Sequence, residues 1–206
     1  MRMTATFPKS RARGCVAVLE WPDGSAATTS MHGSADRLPH DLQHYFVEAQ
    51  FRPPYGFWNL AAQQAPFGSF TLVRGRWPRG RQDWLARVRR KHGVEMLKAE
   101  SVGLAQITDP NLDMDQYWPV RARTLRKAYS YTAANPFANA TKTDFVEARD
   151  RALALHAVWR RVPFGGALIV SWPPGTPPRI LPTYEASGVP DTSSNRHRAT
   201  RHRVRR

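Results

Sequence analysis

An α+β fold, with a small antiparallel sheet covered by four or five helices, is what this sequence predicts, on three observations. The first is Asp23-Gly24 set between two β-type runs, residues 15–21 and 26–31, which is a hairpin signal. The second is Ala167-Leu-Ile-Val-Ser-Trp172 behind Gly165-Gly166, apolar enough to be a central strand. The third is that most of the chain between them shows helical rather than alternating periodicity. The simplest sheet pairs the late strand with the hairpin. Residues 1–13 then read as a flexible basic leader, 14–172 as one domain, and 173–206 as a disordered Pro/Arg-rich tail.

The elements follow in order. A helix is expected from Leu38 to about Phe51. Pro39 suits its first turn, and Leu42, Tyr45, Phe46 and Ala49 form its apolar stripe. Arg52-Pro-Pro-Tyr-Gly56 stops it. A short aromatic helix over 57–64, an apolar segment of undetermined type over 67–73 and a loop over 74–80 come next. A long helix over about 82–107 is expected to bend near Gly93 or Gly103. Another spans about 115–129, with Pro119 in its first turn. Thr143-Asp144 offers a cap for a last helix to about Arg161, whose inner face would hold Phe145, Ala148, Ala152, His156 and Trp159.

Composition narrows the class. A chain of 206 residues suffices for one domain with a real core. The single cysteine, Cys15, cannot form an internal disulfide and fits a reducing compartment. No apolar run is long enough to span a bilayer and no signal-peptide pattern is seen, so no membrane partner and a cytoplasmic location are expected. The net charge of +15 raises a nucleic-acid hypothesis. Six arginines of the last eleven residues carry much of that charge, and the excess of arginine over lysine is also what GC-rich coding produces. A more focused candidate is the segment from Arg74 to Lys98, with nine Lys/Arg against Asp83 and Glu95, and with Trp77 and Trp84 interleaved as possible base-stacking rings. The plainer reading is a solvated helix face with Trp84 in the core.

The densest chemistry lies in Pro39-His-Asp-Leu-Gln-His44 and Glu48. On a helix, His40, His44 and Glu48 fall at i, i+4 and i+8. Two neutral imidazoles and a carboxylate on one face can hold a divalent metal such as zinc and leave a position for water. The pattern lacks the Glu of H-E-x-x-H zinc peptidases; Asp41 stands there and is the weak candidate for a general base. The bland alternative is a polar helix edge in which the histidines only pack and hydrogen-bond. The His40-Asp41 doublet also matches HD-type phosphohydrolases weakly, since His32 is too near to serve as their upstream ligand. His156 reads as a core histidine by default, and His92 as part of a basic surface. Neither a phosphate loop nor a nucleophile elbow is present.

The run from Leu38 to Glu48, the Gly56-Phe-Trp that follows, and the stretch from Phe67 to Gly75 resemble an uncharacterised family of small, largely actinobacterial proteins with a P-H-D-L-x-H helix behind a hairpin. The likeness covers about residues 15–105. It implies that His40, Asp41 and His44 belong to the family pattern and brings no activity. Three functions therefore stand as expectations: a His/carboxylate site that binds metal and, if catalytic, hydrolyses; a non-enzymatic nucleic-acid or polyanion-binding module; or a structural or interaction protein without a site.

Overall fold

The computed structural model describes residues 2–11, 16–30, 37–65, 70–101, 109, 111–130 and 135–185, with backbone alone for 94–101 and 128. Cys15, His32, Gly103 and the arginines beyond 186 lie outside the described residues. Six strands form one antiparallel sheet: β1 (Met3–Pro8), β2 (Val16–Glu20), β3 (Ala26–Ser30), β4 (Thr71–Arg74), β5 (Ala167–Trp172) and β6 (Arg179–Leu181), in spatial order β4-β3-β2-β1-β5-β6. With helices α1 (His40–Phe51), α2 (Phe57–Ala62), α3 (Arg81–Ser101), α4 (Met114–Ala128) and α5 (Lys142–Arg161), the fold is α+β as expected, on a sheet larger than expected.

Three expectations about the sheet are corrected. Residues 3–8, read as part of a flexible leader, form β1 at its centre, paired with β2 on one side and β5 on the other. Met3, Ala5 and Phe7 alternate with Thr4 and Thr6, and the first three point into the core. The late strand therefore pairs with β1 and not with the β2–β3 hairpin. Residues 179–181, assigned to the disordered tail, add β6 as an edge strand against β5. The hairpin itself is as expected. Gly24 takes φ +82°, and Asp23 Oδ1 accepts from the Ser25 amide at 2.9 Å.

The core has three parts. Met3, Phe7, Leu19, Leu168 and Trp172 from the sheet, with Trp21 just past β2, meet Leu42 and Tyr45 of α1, Trp58 of α2, and Leu155 and Trp159 of α5. Val47 and Phe51 on another side of α1 join Phe137 and Phe145 with the inner faces of α4 and α5. Leu60, Ala65 and Leu85 tie α3 to α2. Thus α1 lies between the sheet and the helical layer, buried on two sides.

Local chemistry explains several boundaries. The α5 cap is Thr141, two residues before the expected one, in a capping box with Asp144. Bonds from the Thr141 backbone and hydroxyl hold the Asp144 carboxyl below the usual range. Leu155 takes the core position expected of His156, which is half-buried. Pro119 sits inside α4, beyond its first turn. α3 departs from helical angles at His92, beside the predicted bend point Gly93. Lys9 is buried, and its ammonium donates to the Trp159 and Arg160 carbonyls at the C-terminal end of α5 (3.1 and 3.3 Å).

Candidate functional site

α1 begins with Pro39 as its N-cap residue, and the side chain of Gln43 reaches back to the Leu38 carbonyl at 2.9 Å. One helical turn brings His40 and His44 together, with their Nε2 atoms 3.1 Å apart and ring centroids 4.4 Å apart at 62°. Without a metal, one ring donates its N–H to the lone pair of the other. The two rings differ in setting. The His40 side chain is 36% exposed, whereas His44 is buried. Burial, and then the neighbouring His40, push the His44 imidazole down from 6.5 to about 3, so it is neutral at physiological pH.

Asp41 stands behind this pair. Its Oδ1 is 3.6 Å from Nδ1 of His40, the ring nitrogen remote from the facing Nε2 atoms. That is an ion-pair distance rather than a hydrogen bond. The carboxylate favours a proton on Nδ1 and so leaves Nε2 with its lone pair. Its nearest approach to His40 is at Nδ1, on the opposite edge of the ring from Nε2.

Glu48, the expected third ligand, is committed elsewhere. It is buried, and its Oε2 accepts from the Trp58 amide at 2.9 Å. Gly56, the N-cap residue of α2, has no side chain to cap with, so Glu48 supplies the acceptor from the neighbouring helix. A Cβ on Gly56 would lie 2.3 Å from that same oxygen, so any larger residue there would have to displace the Glu48 carboxylate. The Trp58 indole donates to the Asp41 carbonyl at 2.9 Å, which fixes α2 against the other end of the same stripe. Among the described residues no three His, Cys, Asp or Glu gather as a metal cluster. The structure brings His40 and His44 together, places Asp41 behind them, and gives Glu48 to α2.

Two residues that read from the sequence only as apolar or aromatic positions hold this corner in place. Trp58 is fully buried, stacked on Trp172 (5.5 Å, 26°) and edge-on to Tyr45 (4.8 Å, 73°). Tyr45 donates its hydroxyl to the Ser171 carbonyl at 2.5 Å, tying α1 to β5, and burial pushes that phenol up. The available signal was Gly56-Phe-Trp itself: a glycine before a short helix needs a cap from elsewhere.

The basic segment is arranged differently from the expected stacking platform. Trp77 packs edge-on against Trp21, and Trp84 lies under the Arg81 guanidinium at 5.0 Å, so each ring is half-buried and already in contact with a neighbour. Among the described residues, Arg76, Arg79, Arg87, Arg89, Arg90 and Lys91 are exposed and make no ion pair, while Arg74 pairs with Glu20 at 2.8 Å. No described helix is long and apolar enough to cross a membrane.

Fold and site together define an α+β protein with a paired-imidazole face on a helix buried between sheet and helical layer. No protein-family model matches the chain, and no curated protein or solved structure shows significant similarity to it. The likeness seen over residues 15–105 has no counterpart among them.

Proposed function

We propose that the protein binds a divalent transition-metal ion through Nε2 of His40 and Nε2 of His44. The observation that carries this reading is the 3.1 Å separation of the two nitrogens. With metal–nitrogen bonds of about 2.0–2.1 Å, tetrahedral coordination sets two imidazole nitrogens about 3.3 Å apart, so a small adjustment admits one ion. Because His44 is neutral, moving its one ring proton to Nδ1 is enough to free Nε2 for an ion, and the exposed edge of His40 gives water access. Water would complete the coordination shell. Such a water is acidified by the ion, which is the resource a hydrolase uses. The reading stops at metal binding, because Asp41 lies behind His40 and Glu48 is engaged with α2.

Metal analysis after dialysis against Zn²⁺ or Co²⁺ tests this. About one ion per chain is expected in the native protein, with a marked loss in His44→Ala and a smaller one in Asp41→Ala. Substoichiometric metal in the native protein, unchanged in His44→Ala, would overturn it.

A second reading, binding of a phosphate-bearing polyanion, is favoured by the unneutralised cations on and before α3. Such a surface gains affinity by releasing counterions from the polyanion, with a steep dependence on salt. Heparin binding that weakens with salt and with loss of Arg89 and Arg90 is its test.

A further inference from the structure

Resting on that second reading, we propose that the polyanion is a single-stranded nucleic acid and that α3 takes one of its bases in the groove around Ala86. This open groove of about 610 Å³ is lined among the described residues by Gln82, Leu85, Ala86, Arg89 and Arg90. The helical repeat puts 82, 86, 89 and 90 on one stripe, so the small Ala86 leaves a gap between Gln82 and the two arginines. Leu85, buried against α2, gives the floor an apolar edge.

Each lining group matches a part of an unstacked nucleotide. A base brings an apolar face, which the Leu85–Ala86 floor receives. It brings hydrogen-bonding edges, which the Gln82 amide can serve as both donor and acceptor. Planar guanidinium groups stack on bases and also bind phosphates, so Arg89 and Arg90 can do either. On the adjoining face of α3, the exposed Arg87 and Lys91 add positive charge that draws a polyanion to this helix. A duplex hides its base faces and would use only the charges; a sulfated polysaccharide has no flat apolar face to insert. The only acid with a described side chain on this part of α3 is Asp83. Because Trp77 and Trp84 are already engaged, the groove, and not a tryptophan, is the place for a base.

The experiment measures full-length protein binding to a mixed-sequence single-stranded oligonucleotide, as RNA and as DNA, to its duplex, and to heparin, at several salt concentrations. Arg89→Ala/Arg90→Ala should weaken all of them, tenfold or more for single strands, with the logarithmic salt slope falling by about 1.4. Ala86→Gln fills the gap without changing charge. It should weaken single strands about fivefold and leave heparin unchanged. Arg161→Ala, exposed on α5, controls for net charge and should change little. A difference between the RNA and DNA arms assigns the natural strand. If Ala86→Gln spares single strands, or if duplex binds as tightly, the base-in-groove inference falls and polyanion binding survives. If the arginine pair affects no polyanion, both fall. Circular dichroism matched to the native protein guards against an unfolded variant; all four substituted side chains are exposed.

Discussion

The two ends of one stripe on α1 behave oppositely. At the N-terminal end, His40 and His44 face each other and one of them meets solvent. At the C-terminal end, a single turn further on, Glu48 is buried and committed to the first turn of α2. All three residues have the spacing of one ligand set. The difference arises because the chain turns back after Arg52, which adopts a left-handed φ of 49°, and brings an uncapped helix start onto Glu48 alone. Residue spacing thus defines a face, but the packing partner decides which of its groups remain available for chemistry.

Four experiments break or sharpen this contrast. Trp58→Ala should have the largest effect, because it removes a fully buried ring that touches Tyr45 and Trp172 and holds the Asp41 carbonyl. A loss of about 3–5 kcal/mol is expected in denaturant unfolding, together with loss of metal binding; a loss below about 1 kcal/mol would show that the corner does not depend on it. Acid comes next. Unfolded His44 takes up a proton at its ordinary 6.5, folded His44 only at about 3. The unfolded state therefore holds more protons in that window, and metal-free protein should lose stability as pH falls through it, by about 1.4 kcal/mol per unit at most. His44→Gln should flatten the curve by that amount; identical slopes would refute burial of a neutral imidazole.

Gly56→Ala follows at about 1–3 kcal/mol, because the new methyl group overlaps the Glu48 carboxylate. If Glu48 instead belonged with the histidines, this substitution would be near neutral for stability and would disturb metal uptake. The smallest effect is expected for Thr141→Ala, about 1 kcal/mol in the unfolding free energy, as for an ordinary helix cap. It calibrates the borrowed cap of α2 against a conventional one and should leave metal binding untouched.

Much of this was legible in the sequence, and the exceptions have physical reasons. The hairpin turn, the central character of β5, the extent of α1 and the bend beside Gly93 depend on local residue chemistry, and they read directly. The pairing of His40 with His44 is also local, a matter of one helical turn. β1 is masked by the charges of Arg2, Lys9 and Arg11 at its flanks, although Met3-Thr-Ala-Thr-Phe7 carries a strand's alternation. β6 was hidden by flanking prolines. The role of Glu48 depends on where α2 docks, and no short-range pattern contains that information. The same holds for Trp77, which packs against Trp21, a partner distant in the chain.

The pairing of β1 with β5 carries a further consequence. Met3 lies opposite Trp172, and Pro8 opposite Ala167. Two neighbouring interior strands of the sheet thus come from opposite ends of the folded region, and β1 is synthesised long before β5. Until residues 167–172 have been synthesised, β1 can join only the hairpin, leaving its other edge open. Loop closure over that span is slow compared with hairpin formation. The nascent chain therefore exposes an unpaired strand for most of its synthesis. Substitutions at Thr4 or Thr6 that make this edge stickier should lower soluble yield in cells more than they lower the stability of the finished protein.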